Sequence, residues 1–533
     1  MIPDIEIFLL LMFVIAAISW VAARLEQPPA ILLVITGVAL ALVPGLPTVE
    51  LAPDFVLLFV LPPIIYASAV AMSWREFRFN LRPISLLAVG CVAFTTVAAA
   101  AAAHWLLGFS WPEGFVLGAI VSPPDAVAPL SIARRMQLPR RILVILEGEG
   151  LANDATALVL YRFAVAAVGA GAFSVDRALV TFAAVVVGEI LWGLAVGWLM
   201  LRLRRWLCDT RIEIMLSILT PFIAYAPPEH LGGSGVLATV TAGLYISWNG
   251  LRLISPATRL QGIFVWGFLI YLIEGMVFLV TGLQARALLA DSHAYSTTDL
   301  AISAAVVCAV VIVTRFVWMY PATYVPRWLS ARLRKRDPAP PWQFPFALAF
   351  TGVRGIVSLA AALAIPLVTQ SGRPFPHRDL ILLLTFAVIL VTLVGQGLLL
   401  PPVIRALGLD HAGRREHAAQ KAEEFAARRR AIHAALQRLE ALEKERGLPA
   451  DIVRPLRARQ LERLRYIDDK TGDADQEART TLRDDIELEL LCAERDAINR
   501  LHHEGELQAE PRLHIERELD LRDAHLANLR DRP

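Results

Sequence analysis

Apolar residues fill the first three quarters of the chain in long blocks, separated by short clusters of arginine, proline and glycine. A helix crossing the hydrocarbon of a bilayer needs about 20 mainly apolar residues. Blocks of that kind centre near residues 14, 36, 62, 95, 123, 155, 190, 220, 241, 272, 309, 356 and 392, which predicts about thirteen transmembrane helices. The pattern stops after Leu398-Leu399-Leu400-Pro401-Pro402. From about His411 the chain is charged and rich in helix-favouring Ala, Leu, Arg and Glu. Ala435, Leu436, Leu439 and Leu442 recur at helical spacing, as do Leu488, Leu491, Ala493 and Ile498. Gly447 with Pro449, and Gly505, mark helix stops. The expected fold is an all-α polytopic membrane protein over residues 1–408, followed by a soluble, cytoplasmic helical tail over 409–533.

Two blocks are interrupted near their middles. In Val121-Ser122-Pro123-Pro124-Asp125-Ala126-Val127 the tandem prolines remove two amide donors and leave carbonyls without helical partners. In Thr351-Gly352-Val353-Arg354-Gly355 the glycines permit a break. If spans four to six and eleven to thirteen are corresponding halves, each break falls in the middle of its triplet. Paired broken segments point to an inverted-repeat transporter with its site near the midplane.

Composition agrees: 56% of residues are hydrophobic and the mean hydropathy is +0.54. The net charge of +2 hides a division between a basic membrane part and an acidic tail. Loops assigned to one side hold nineteen Lys and Arg, among them Arg134, Arg135, Arg140, Arg141, Arg334 and Lys335. The other side holds Arg177, Arg286, Arg373 and Arg378, with Arg162 at a span end as a fifth. The positive-inside rule then puts the amino terminus outside and the carboxyl terminus in the cytoplasm. The start, Met-Ile-Pro-Asp-Ile-Glu, lacks a basic region and a small-residue cleavage site, so the first block is expected to be a retained span. Cys91, Cys208, Cys308 and Cys492 are scattered, with neither disulfide nor metal spacing, and no cofactor or nucleic-acid partner is expected. No His-Glu-x-x-His, Gly-x-Ser-x-Gly or phosphate loop supports a membrane-embedded enzyme.

Candidate chemistry concentrates in the sixth block. Asn153 and Asp154 lie near its centre, where a charge costs roughly 2.5–3.5 kcal/mol and usually marks an ion path. A carboxylate there can be neutralised by a proton or a small monovalent cation, and either excludes the other. Asn153 adds a neutral carbonyl oxygen. Two roles are open to Asp125: coordinating the cation beside the unwound carbonyls, or capping the half-helix that follows. Ser122 is the nearest hydroxyl. Glu149 stands four residues before Asn153 on one helix face. Arg354 lies in the other broken block, and buried charges demand partners, so a Glu149–Arg354 ion pair is expected. Glu147 is expected near the basic loop of Arg140 and Arg141. Glu189, Glu274 and Arg315 also fall within blocks, each open to two readings: a second proton site, or a partner in helix packing or a dimer interface. Arg428-Arg429-Arg430 in the tail reads as a solvated helix surface, with lipid headgroups as the alternative.

These stretches resemble the bacterial sodium/proton antiporters of the monovalent cation:proton antiporter-1 family, relatives of the animal sodium/hydrogen exchangers. The resemblance rests on Leu61-Pro62-Pro63, Trp74-Arg75-Glu76-Phe77, Gly118 to Val127, Leu146-Glu147-Gly148-Glu149, Asn153-Asp154-Ala155-Thr156, Gly282-Leu283-Gln284 and Gly352 to Ser358. It implies a homodimer with dimerisation spans at about 4–72 and 178–285, and a moving core at about 85–170 and 299–408. It also implies that the Asn153-Asp154 pair accompanies electroneutral exchange of one cation for one proton. The chain departs from many relatives at Gly150, where they carry Ser, and at Ala67-Ser68, where some carry an acid. Glu274 stands where similar bacterial sequences have Asn. The expected function is exchange of Na+ (or Li+ or K+) for H+ across a bacterial inner membrane, for pH and cation homeostasis, with Asp154 holding the cation. Potassium/proton exchange and an ion sensor with a regulatory tail are the alternatives, and the tail's partner is unspecified.

Overall fold

The computed structural model describes residues 2–44, 52–170, 175–207, 209–250, 253–290, 296–369, 372–470 and 474–530. Cys208 and the side chain of Arg177 lie outside the described residues. Contacts divide the chain into two units, Met1–Arg414 and Arg415–Pro533. The second unit begins six residues beyond the expected start of the tail at residue 409, part-way along a helix.

The first unit is a bundle of helices: α1 Ile2–Arg24, α2 Pro29–Ala41, α3 Pro53–Ala71, α4 Trp74–Phe79, α5 Leu81–Leu107, α6 Trp111–Val121, α7 Val127–Arg135 and α8 Arg140–Ala170. It continues through α9 Val175–Arg204, α10 Thr210–His230, α11 Val236–Gly250, α12 Pro256–Leu283, α13 Ala285–Ala290, α14 Thr297–Leu329 and α15 Ala331–Arg336. The broken pair α16 Gln343–Phe350 and α17 Ile356–Leu363 follows, then α18 Arg378–Ala406. Among the described residues, eight helices are long and apolar enough to cross a membrane, by length and composition: α1, α3, α5, α8, α9, α12 with α13, α14 and α18. The remaining expected blocks are also helical, but α2 is short, α10 contains Pro221, Pro227 and Pro228, and the two interrupted blocks are each a pair of half-helices. The chain is thus a multi-pass helical membrane protein.

Packing separates two groups of helices. α12 runs against α2 and α1, and α9 against α11 and α10, while α8 packs on α6 and α14 on α5. The α2–α12 contact is backbone to backbone. A Cβ added to Gly37 would sit 2.3 Å from the Leu279 carbonyl oxygen, and one on Gly282 would sit 2.3 Å from that of Val34. Side chains there would force the helices apart.

The three long helices α3, α5 and α18 each contain a π-helical stretch, at Val56–Val60, Leu86–Cys91 and Val391–Gln396. A wider turn frees backbone and re-aims side chains, and such stretches concentrate at functional sites. The last one presents Thr392 to the second helix break.

The tail unit comprises most of α19 Leu409–Arg446, with α20 Ala450–Lys470, α21 Ala474–His503 and α22 Ala509–Arg530. Gly447 and Gly505 both adopt positive φ, 60° and 78°, at the expected stops. Leu491, Leu519 and Leu526 form a small core with Leu488 and Ile515. Arg428 pairs with Glu424 and Arg429 with Asp468, both on the solvated surface, as the basic triplet was read.

Candidate functional site

The two helix breaks meet. The Asp125 backbone amide donates to the Val353 carbonyl at 2.7 Å, tying residues 122–126 of the first break to residues 351–355 of the second. Arg354 completes the joint. Its Nε donates to the Val121 carbonyl at 2.9 Å, its Nη2 to Ser122 at 3.4 Å and its Nη1 to the Gly352 carbonyl. Its backbone amide donates to Thr392 Oγ1 at 2.9 Å. Val121 and Ser122 end α6, where unpaired carbonyls carry partial negative charge, so a guanidinium is stabilised there without a carboxylate.

The expected Glu149–Arg354 ion pair is therefore replaced. Glu149 on α8 makes a two-pronged pair with Arg315 on α14, at 2.5 and 2.8 Å, both side chains fully buried. Arg315 also donates to the Leu348 carbonyl of α16 at 3.2 and 3.0 Å. Two buried arginines compete for one acid, and the fork that matches the carboxylate edge-on takes it. The broken helix supplies the other arginine with carbonyls. Charge counting along the sequence does not distinguish these two partners. Gly352 makes room for both cations, since a Cβ there would meet Arg315 Cδ at 2.4 Å and Arg354 Nη1 at 2.9 Å.

Asn153 and Asp154, adjacent on α8, face different surroundings. Asn153 is wholly buried and its Nδ2 donates to the Pro124 carbonyl at 2.6 Å, so the amide grips the first break. Its Oδ1 accepts nothing. Asp154 is 8% exposed and lines a cavity of about 1570 Å³. Among the described residues, none hydrogen-bonds or pairs with its carboxylate. Pro123, Pro124, Asp125, Gly150, Glu274, Gly355 and Ser358 line the same cavity. So do Arg134, Arg204 and Arg259, on the side that carries the basic loops, whereas Arg162 and Arg378 do not. The cavity therefore opens toward the arginine-rich end.

Asp125 fills one of its two open roles and keeps capacity for the other. Its Oδ1 accepts from the Val127 amide at 2.9 Å, at the start of α7, while its Oδ2 is buried without a partner. That free oxygen lies against Gly355, where an added Cβ would approach it to 1.9 Å. Ser122 does not reach the cavity; its hydroxyl donates back to the Ala119 carbonyl at 3.1 Å. Gly150 packs on Ala126, which an added Cβ would meet at 2.7 Å. A hydroxyl comes instead from Ser358 on α17, buried and without a partner. Sequence reasoning missed Ser358 as an oxygen donor, although it lies three residues beyond Gly355 and returns to the break one helical turn later.

Other acids resolve into structural parts. Glu189 is buried and accepts from the amides of Ser234, Gly235 and Leu237 at 2.6, 3.2 and 3.0 Å, capping the start of α11. Glu147 pairs with Arg134 of α7, not with the expected loop, where Arg140 pairs with Glu76 at 2.8 Å.

A helical membrane bundle with two touching helix breaks, and a buried unpaired acid facing a water-sized path from one end, is the architecture of a secondary transporter. The chain belongs to the sodium/hydrogen exchanger family, whose transmembrane model matches residues 9–406. It is 34% identical over 520 residues to an uncharacterized Na(+)/H(+) exchanger of Mycobacterium tuberculosis, covering 95% of this chain and 93% of that one. It is 33% identical to a sodium, potassium, lithium and rubidium/H(+) antiporter of Bacillus subtilis, over 75% of this chain and 61% of the relative. The solved sodium proton antiporter MjNhaP1 of Methanocaldococcus jannaschii has the same fold, with a TM-score of 0.57, 17% identity, and coverage of 76% of this chain and 99% of that one.

Proposed function

We propose that the protein exchanges Na+ for H+ at Asp154, with Li+ and K+ as further candidate cargo, one cation per proton. The observation that carries this reading is the Asp154 carboxylate: nine-tenths buried, without a hydrogen bond among the described residues, and open to a cavity. Such a group must be neutralised by a proton or a cation in an apolar surrounding, and it cannot hold both. Asp125 Oδ2, Ser358 Oγ and Asn153 Oδ1 have acceptor capacity left over and suit a hard monovalent cation. Arg315–Glu149 and Arg354 steady the frame around them. A rigid-body shift of the core past the rest of the bundle would carry the site between the two sides.

The loop charges support a bacterial inner membrane, with the amino terminus outside and the carboxyl terminus in the cytoplasm. Family resemblance supports a homodimer through spans 4–72 and 178–285, a core at 85–170 and 299–408, lipid as the surrounding partner, a role in pH and cation homeostasis, and a regulatory tail. Exchange of potassium remains a second reading, because Gly150 offers no hydroxyl and relatives named for potassium exist. The test is proton flux in vesicles driven by sodium, potassium and lithium gradients in turn. Sodium-driven flux that persists in Asp154→Asn refutes the assignment. A strong response of the initial rate to a valinomycin-imposed potential refutes one-for-one exchange.

A further inference from the structure

Four carboxylates line the cavity: Asp125, Glu147, Asp154 and Glu274. Glu147 is neutralised by Arg134. Asp125 and Asp154 belong to the first break and to α8. Glu274 comes from the opposite wall. It lies on α12, which is locked to α2 through Gly37 and Gly282, and among the described residues it has no hydrogen-bonding or ion-pairing partner. These three remaining acids, Asp125, Asp154 and Glu274, line the one cavity. Glu274 is the one ionisable carboxylate on α12 between Trp266 and Leu283, a stretch that is mostly apolar apart from Tyr271 and Thr281. Arg204 and Arg259 also line the cavity, so its charge is mixed, and Asp125, Asp154 and Glu274 are the part of its lining that attracts a cation.

We propose that Glu274 is a cation relay on the α2–α12 wall that captures the entering monovalent cation and passes it to Asp125 and Asp154. This rests on the cation-exchange reading of Asp154. Because Glu274 sits on the wall and Asp154 on the opposite side of the gap, the relay operates only while the cavity is open to the arginine-rich end. Cation entering from the other side meets Asp154 without it.

The experiment uses the full chain in inside-out and right-side-out membrane vesicles, with Na+ as the probe and proton flux as the readout. In inside-out vesicles the arginine-rich end faces the bath. There Glu274→Gln raises the half-saturating Na+ concentration about threefold to tenfold, the size expected for losing one charge at short range in a hydrated cleft. The maximal rate changes less than about twofold, and Glu274→Asp restores the affinity. In right-side-out vesicles the half-saturating concentration moves less than about twofold. Equal affinity loss from both sides, a fall in maximal rate alone, or unchanged affinity in Glu274→Gln each overturns the relay. Loss of affinity in Glu274→Asp equal to that in Glu274→Gln also overturns it, since it marks a packing role. Asp154→Asn in the same vesicles separates the two claims. If it abolishes flux while Glu274→Gln is silent, only the relay fails; if it leaves flux intact, the exchange reading fails with it.

Discussion

At the first helix break, Pro123 and Pro124 expose backbone carbonyls, and Asp125 and Asp154 bring carboxylates with spare oxygens to a cavity. At the second break, five residues between α16 and α17 bring a guanidinium, and each of its hydrogen bonds runs to a carbonyl at one break or the other. The first break is left short of partners; the second supplies them. An unpaired acid buried beside apolar helices is unstable unless cargo neutralises it, whereas a fully donated arginine fixes geometry. One interruption opens onto a cavity, and the other holds it in place through Arg354.

Four perturbations test this division. The largest effect belongs to Asp154→Asn, which removes the charge proposed to exchange; sodium-driven proton flux falls by at least about a hundredfold while the protein remains folded, because the amide preserves volume. Next, Glu149→Gln strips the partner from buried Arg315 and costs about 3–5 kcal/mol of stability, read as a drop in detergent melting temperature. A double-mutant cycle sharpens it. Glu149→Gln couples to Arg315→Gln by more than about 1 kcal/mol and much less to Arg354→Gln, the reverse of what a Glu149–Arg354 pair would give.

Gly355→Ala acts across the joint. Its methyl would fall 1.9 Å from Asp125 Oδ2, so Asp125 must turn away, and the apparent sodium affinity falls about tenfold with the fold retained. Smallest is Ser358→Ala, which deletes one neutral oxygen from the cavity; the half-saturating sodium concentration rises about twofold to fivefold. An unchanged value would remove Ser358 from the cation's surroundings.

The tail behaves differently from the membrane unit. Most of its ion pairs, such as Arg495–Asp520 and Arg522–Glu494, are exposed, and each of these contributes at most about 1 kcal/mol. Its core of Leu491, Leu519 and Leu526 is small, so helix propensity and stops at Gly447 and Gly505 carry more of its definition. Those are local signals, which is why the two stops read at Gly447 and Gly505 coincide with helix ends, while the end of α20 at Lys470 was not read from the sequence.

Much of the membrane fold is local in the same sense. Block length and apolarity specify helices because a lipid-exposed backbone must satisfy its own hydrogen bonds. Tandem prolines cannot complete a helix, so the first break is dictated by chemistry at Pro123 and Pro124. An acid in mid-span is singled out for the same reason, and the structure buries Asp154 and sets it against the cavity. Which charge meets which was not legible in the sequence. Glu149 pairs with Arg315, from 166 residues away, and Arg354 turns to carbonyls, because helix packing sets the distances and three buried charges allow more than one pairing. Likewise Ser122 carries the hydroxyl nearest in sequence, but Ser358 brings one to the cavity, and Glu274 reaches the site only through the packing of α12 on α2. Periodicity and solvation energy act within a segment and were written in the chain; the choice among partners acts between segments, and only their packed arrangement decided it.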